Sequence, residues 1–272
     1  MAKGETYEEF VAKFKKNAPK TTDDCYTPQP VYEVVKEYAL KLAGLTEETC
    51  TPVRPFYPGG DYRNYDYPAD AYVIDNPPFS ILSEIRQFYM ERGIKYFLFA
   101  PALMCISQID DTVINSYSDI IYSNGATVKT SFVTNAASRE FCLMTAPELK
   151  KQLKEIFQHD RKIYGEKTRK LKSYIYPKNT FSVRDIALTS RTYFFIRRRE
   201  SRSVGKIGSL KQFGGAYLLS DRAAAELEKA RAAGELEKCR AAAEEFRGKG
   251  AIKLYLSPEQ EEIIKQLNEK HK

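Results

Sequence analysis

The residues best suited to chemistry stand together: Asn76, Pro77, Pro78 and Phe79, directly after Asp75. Two prolines fix φ and remove two backbone donors, so the turn is stiff and its carbonyls point outward. The Asn76 side chain offers an acceptor and an amide donor group, and Phe79 offers a π face. A stiff turn carrying an amide acceptor, a backbone carbonyl and an aromatic plate suits a planar group with an exocyclic amine. The two acceptors orient the –NH2 group while the ring stacks. The plainer reading of the same residues is a proline-rich connection between a strand and a helix.

The flanking sequence supplies both elements in that order. Ala71-Tyr72-Val73-Ile74 is a strand-like apolar run. Ile81 to Arg92 carries Ile81, Leu82, Ile85, Phe88 and Tyr89 at helical spacing, and Gly93 suits the position after a helix end. Lys95 to Pro101 is read as the next parallel strand. Ala102 to Ser116 is expected to be helical, and Thr127 to Thr134 with Glu140 to Thr145 to form a hairpin that closes the sheet. Upstream, Thr6 to Asn17 reads as an amphipathic helix with Tyr7, Phe10, Val11 and Phe14 on one face. A second helix runs from Pro30 to Ala43 with Val31, Val34, Val35, Tyr38 and Leu42 as its stripe and Gly44 at its end. Thr51 to Phe56 reads as a short strand, and a glycine turn, Gly59-Gly60, follows it.

The Asn-Pro-Pro-Phe turn resembles motif IV of the amino-methyltransferases, whose Asn/Asp-Pro-Pro-aromatic turn holds the target nitrogen, most often the exocyclic amine of adenine. Tyr26-Thr27-Pro28 before a helix resembles motif X of the adenine methyltransferases. Pro55-Phe56-x-x-Gly59 looks like a remnant of motif I, and Gly60-Asp61-Tyr62 looks like motif III. The order of elements from Asp23 to Thr145 resembles the EcoRI-like adenine-specific DNA methyltransferases and related phage enzymes. That resemblance implies an α/β fold with a Rossmann-like class I methyltransferase core, S-adenosylmethionine as cofactor and DNA as partner, in a phage or mobile-element modification system. It further implies that Asn76, Pro77, Pro78 and Phe79 are catalytic. It makes Tyr26, Thr27, Pro28, Phe56, Gly59, Gly60, Asp61, Tyr62 and Asp75 the cofactor-binding set, with Asp61 on the cofactor adenine and Tyr26 to Pro28 near its methionine end. The chain departs from the pattern in one respect: only fourteen residues separate Gly60 from Asp75. Crossovers of a dozen or more residues each cannot fit there, so the core is expected to be shortened. A plain Gly-Gly turn is the alternative for Gly59-Gly60.

Charge points to a polyanion. Between Asp160 and Gln212 fifteen Lys/Arg face four Asp/Glu, a balance of +11, whereas the whole chain carries +7 and the remainder therefore −4. Concentrated basic charge is the footprint of a nucleic-acid partner. Arg191, Tyr193, Arg197, Arg198, Arg199, Arg202 and Lys206 are the candidate contacts, arginines on phosphates and aromatics on bases extruded from a duplex. The alternative makes Tyr193 to Ile196 a buried strand and the arginines its solvated end. Five scattered cysteines without a CxxC pair fit reduced thiols in the cytoplasm, and two isolated histidines offer no zinc site. No apolar run nears the roughly 18 residues of a membrane span.

The organisation expected is an N-terminal helix (1–22), a core (23–150), a basic target-recognition region (151–220) and a tail (221–272) with an Ala-rich helix and a last helix. From Arg222 an Ala-Ala-Ala-Glu-Leu-Glu-Lys pattern recurs with a period of nine. Nine residues turn a helix by about 180°, which sets Leu227 and Leu236 on opposite sides and predicts an exposed helix. Ala251 to Leu256 reads as a strand, and Ser257-Pro258 as the start of the last helix. A catalytically inactive relative that binds nucleic acid, and a methyltransferase for RNA or a protein glutamine, remain alternatives.

Overall fold

A computed structural model describes residues 26–56, 60–107, 109–137, 143–158, 174–183, 186, 193–194, 196–232 and 252–270. The chain divides into two compact units. Among the described residues the first holds 26–102, 118–137 and 148–158, and the second holds the rest. The expected N-terminal helix lies outside the described residues.

In the first unit, α1 (Gln29–Ala43) buries Val31, Tyr32, Val35 and Ala39, one stripe at helical spacing. Gly44 ends it in the left-handed region (φ 64°), donating its N–H back to the last turn. Three parallel strands follow in spatial order: β1 (Thr51–Val53), β2 (Ala71–Asp75) and β3 (Lys95–Pro101). Val53 lies opposite Val73, and Val73 opposite Tyr96. All five residues of β2 are buried, as befits a strand covered on both faces. Between β2 and β3 runs α2 (Leu82–Glu91), which buries Leu82, Ile85 and Tyr89 of the expected stripe, whereas Ile81 precedes the helix and is exposed and Phe88 is half-buried.

Beyond β3 the sheet departs from expectation. The region Ala102 to Ser116 is not a helix: residues 112–116 open β4 (Thr112–Ile121). Thr112, Val113 and Ile114 are consecutive β-branched residues, all buried, and such a run favours a strand. The hairpin also lies elsewhere. β5 (Thr127–Thr134) runs antiparallel to β3 and has β4 on its other side. A turn through Asn124-Gly125 joins β4 to β5, with Gly125 at φ 78° and the Tyr122 N–H donating to the Ala126 carbonyl at 2.9 Å. Asn-Gly between two strands is a strong hairpin signal. An antiparallel strand thus sits inside the sheet, between β3 and β4. Asn135 finishes this edge, accepting from the Tyr96 N–H at 2.8 Å and donating to the Ile94 carbonyl at 2.9 Å. Helix α3 (Pro147–Ile156) buries Leu149 and Leu153.

In the second unit, β6 (Leu143–Thr145) pairs parallel with the start of β4, not with β5. Two residues, Tyr174–Ile175, make β7, and Thr180–Ser182 make β8. β9 (Tyr193–Phe194) lies antiparallel to β6. β10 (Ser201–Ile207) and β11 (Leu210–Leu219) complete an antiparallel sheet in the order β10-β11-β8. The alternation of β11 feeds two cores. Tyr217 and Leu219 join Phe181, and Ala216 and Leu218 join Ile207, Leu254, Ile264 and Leu267. Tyr217 stacks on Phe181 at 5.2 Å, and its hydroxyl accepts from the Cys105 N–H at 3.2 Å.

The Ala-rich stretch is not exposed where it is described. Helix α4 (Asp221–Ala232) buries Ala223, Ala224, Leu227 and Ala230 in the Phe181–Tyr217 core. One copy of the repeat already supplies a full stripe, so the half-turn between copies does not prevent packing; Leu236 lies outside the described residues. Glu200, fully buried, is paired with Arg222 of this helix and accepts the Arg197 N–H at 2.7 Å. β12 (Ile252–Lys253) pairs parallel with β7. Ser257 and Gln260 then form a reciprocal cap on α5 (Pro258–Glu269), the start its sequence predicts. The chain is therefore an α/β protein with a mixed sheet. Among the described residues no helix is long and apolar enough to cross a membrane.

Candidate functional site

The Asn76 turn leaves the carboxyl end of β2, the middle strand of the parallel trio, and runs into a single 3-10 turn, Phe79–Ile81, before α2. Ligands of open α/β sheets bind at that end of the strands. Pro78 sits at φ −56°, ψ 123°, and its carbonyl accepts from the Ile81 N–H at 3.3 Å. Pro77 is buried, whereas Asn76, Pro78 and Phe79 are partly exposed.

Asp75 fixes the turn from below. One carboxyl oxygen accepts the Asn76 N–H at 2.9 Å, and the other accepts the Phe56 N–H at 2.7 Å across the exit of β1. Arg54 approaches the same carboxyl at 3.5 Å, with its guanidinium 3.9 Å over the ring of Tyr32 and 5.9 Å from that of Tyr26. The Tyr26 carbonyl accepts from the Ser123 N–H at 3.0 Å, which ties the segment before α1 to the Asn124-Gly125 turn. Thr27 is buried at that segment, and its hydroxyl has no hydrogen-bond partner among the described residues. A buried hydroxyl of this kind at a helix start is a ready donor or acceptor for a polar ligand.

Burial pushes the Asp75 carboxyl above the ordinary range, and the Arg54 guanidinium with the N–H groups of Asn76 and Phe56 pulls it part of the way back. The folded protein therefore holds this proton more firmly than the unfolded chain does. The stability contributed by this titration is complete below the ordinary carboxylate value of about 4, and it is lost as pH rises through the raised value. Asp75→Asn has no proton to lose. Denaturant unfolding measured from about pH 4 upward is expected to show that pH-dependent fall in the wild-type protein and its absence in the variant.

Tyr26, Thr27, Pro28, Phe56, Asp75 and the Asn76 turn thus form one constellation with Arg54 and Tyr32. Tyr62 adjoins it through the ring of Phe56, at 5.4 Å, whereas Asp61 stands apart. Asp61 is exposed, its carboxylate accepting from the Arg63 N–H at 2.9 Å and the Asn64 amide at 2.7 Å within its own turn. Tyr62 is buried against Phe56, Phe88 and Tyr89 and donates its hydroxyl to Glu84 at 2.7 Å. Gly60 is exposed, and Gly59 lies outside the described residues.

Of the candidate nucleic-acid contacts, Arg197, Arg199, Arg202 and Lys206 are exposed, on the 3-10 turn Arg198–Glu200 with its flank and on β10, an edge strand. Arg198 is half-buried, donating to the Ser107 carbonyl at 2.7 Å. Tyr193 lies in β9, and Arg191 is outside the described residues. Phe194 and Ile196 are fully buried, as the buried-strand reading has them, and Phe194 offers no face for stacking.

The residue that sequence reasoning missed is Arg54. Its one signal is a lone charge inside the otherwise apolar Thr51 to Phe56 stretch. No family model, curated protein or solved structure matches the chain.

Proposed function

We propose that this protein is an S-adenosylmethionine-dependent methyltransferase acting on the exocyclic amine of adenine in DNA, built on a shortened Rossmann-like class I core. The observation that carries the reading is Asn76-Pro77-Pro78-Phe79 at the carboxyl end of the middle parallel strand, pinned through Asp75 to the exit of its neighbour. The antiparallel β5 set between β3 and β4 supports the same core. Among the described residues β1 is the edge of the sheet, which fits the short interval before Asp75.

S-adenosylmethionine, when bound, supplies a methyl group on a sulfonium sulfur. The Thr27 hydroxyl and the start of α1 fit its polar end. The Asn76 side-chain carbonyl and the Pro77 carbonyl accept the two amine hydrogens, which orients the nitrogen lone pair, and Phe79 offers its ring to the base. Orientation of this kind supplies much of an enzyme's rate gain. The exposed Arg197, Arg199, Arg202 and Lys206 give the second unit charge for phosphates.

A second reading, a nucleic-acid-binding relative without activity, is favoured by Asp61, whose carboxylate serves its own turn. Calorimetric titration with S-adenosylmethionine, followed by transfer of labelled methyl to adenine-containing DNA, separates the two. Micromolar binding with label recovered in the adenine amine is the expected result. No binding up to millimolar cofactor, with or without DNA, favours the second reading.

A further inference from the structure

We infer that Arg54 is a positioning residue, one that fixes the backbone of Asn76 through the Asp75 side chain and couples that turn to α1 through the ring of Tyr32. The inference rests on the function proposed above. Three observations support it. Arg54 has its guanidinium at both the Asp75 carboxyl and the Tyr32 face, at 3.5 and 3.9 Å. Asp75 is buried and bonds the N–H groups of Asn76 and Phe56 with separate oxygens, so a shift of the carboxyl moves both backbones. Tyr32 is itself buried in the first turns of α1, next to the Tyr26 to Pro28 segment.

The chemistry suits arginine in particular. A planar guanidinium can lie on an aromatic face while one edge meets a carboxylate, whereas a lysine ammonium has no plane to stack. Burial pushes the Tyr32 hydroxyl up to about 12, so the ring stays neutral at working pH and holds Arg54 by its π face rather than by charge. Arg54 touches no reacting atom in this scheme. It acts through Asp75.

The test compares Arg54→Met with Arg54→Lys. With Arg54→Met, kcat is expected to fall about 100-fold, the loss typical of a misplaced catalytic group. KM for DNA and the affinity for S-adenosylmethionine should stay near wild type. Arg54→Lys, which keeps the charge but not the plane, is expected to recover part of kcat. A readout independent of catalysis is hydrogen exchange at the amides of Phe56 and Asn76. It should accelerate in Arg54→Met while amides of β3 stay protected. Should Arg54→Met fail to fold, Asp75→Asn replaces it, with the same fall in kcat expected. Unchanged exchange at Phe56 and Asn76, or a kcat close to wild type, overturns the inference. A wild-type protein that transfers no methyl overturns the proposed function instead, and the exchange measurement then decides the role of Arg54 alone.

Discussion

Asn76→Ala is expected to lower methyl transfer to adenine by about 100-fold or more while leaving S-adenosylmethionine affinity close to wild type. Three constraints hold the backbone of the turn apart from that side chain. The backbone N–H of Asn76 is held by Asp75, Pro77 and Pro78 restrict the following torsions, and the Ile81 N–H bonds the Pro78 carbonyl. On the proposed function, truncating the side chain removes an acceptor for the amine while these backbone constraints stay in place. On that proposal the loss should fall on kcat, because the amine would be held most tightly with its lone pair directed at the methyl group. Single-turnover transfer of labelled methyl to a duplex containing adenine measures this directly. A rate close to wild type would remove Asn76 from the chemistry.

The largest effect on stability is expected in the second unit, from Arg222→Met. Glu200 is fully buried and Arg222 is 44 % exposed, so the mutation leaves a carboxylate in the interior without its guanidinium. Breaking such a pair from one side costs about 3 kcal/mol or more, because the remaining charge is desolvated and uncompensated. Replacing both partners, as in Glu200→Leu with Arg222→Met, should recover much of that loss, since no buried charge remains. The Arg197 N–H still loses its acceptor, at about 1–3 kcal/mol. Denaturant midpoints of the two single variants and the double variant separate these contributions. A double variant less stable than Arg222→Met would show that the pair contributes more than the cost of burying it.

The parts legible in the sequence are those whose signal is local. Val31 and Val35 of the expected stripe are buried in α1, Gly44 and Gly93 adopt the left-handed conformation (φ 64° and 66°), and Ser257 caps its helix through Gln260. The Asn76 turn lies between strand and helix because two prolines leave little else possible. The misread region fails for a physical reason. Asn115, Ser116 and Ser118 are polar residues buried within β4, so the stretch shows no clean alternation, and Asn124-Gly125 was the one local sign of its hairpin. Arg54 illustrates the other kind of failure. Its partners are Asp75, twenty-one residues on, and Tyr32, on a helix before it. No pattern along the chain announces a contact of that range. The aromatic run at Tyr193 to Ile196 was ambiguous for the same reason, because a buried strand and a stacking surface have the same composition.

The inserted strand β5 also dictates an order of events during synthesis. β3 receives its second neighbour from a segment that ends at Thr134, thirty-three residues after Pro101. At roughly 5–20 residues per second on the ribosome, the wait lasts roughly 2–7 s. Through that interval β3, with Tyr96 to Ala100 all apolar, presents a long unpaired edge, the feature most prone to pairing with another chain. The local β4–β5 hairpin shortens the exposure. Hairpins close in about 1–10 μs, so β5 reaches β3 already formed, and docking rather than search completes the sheet.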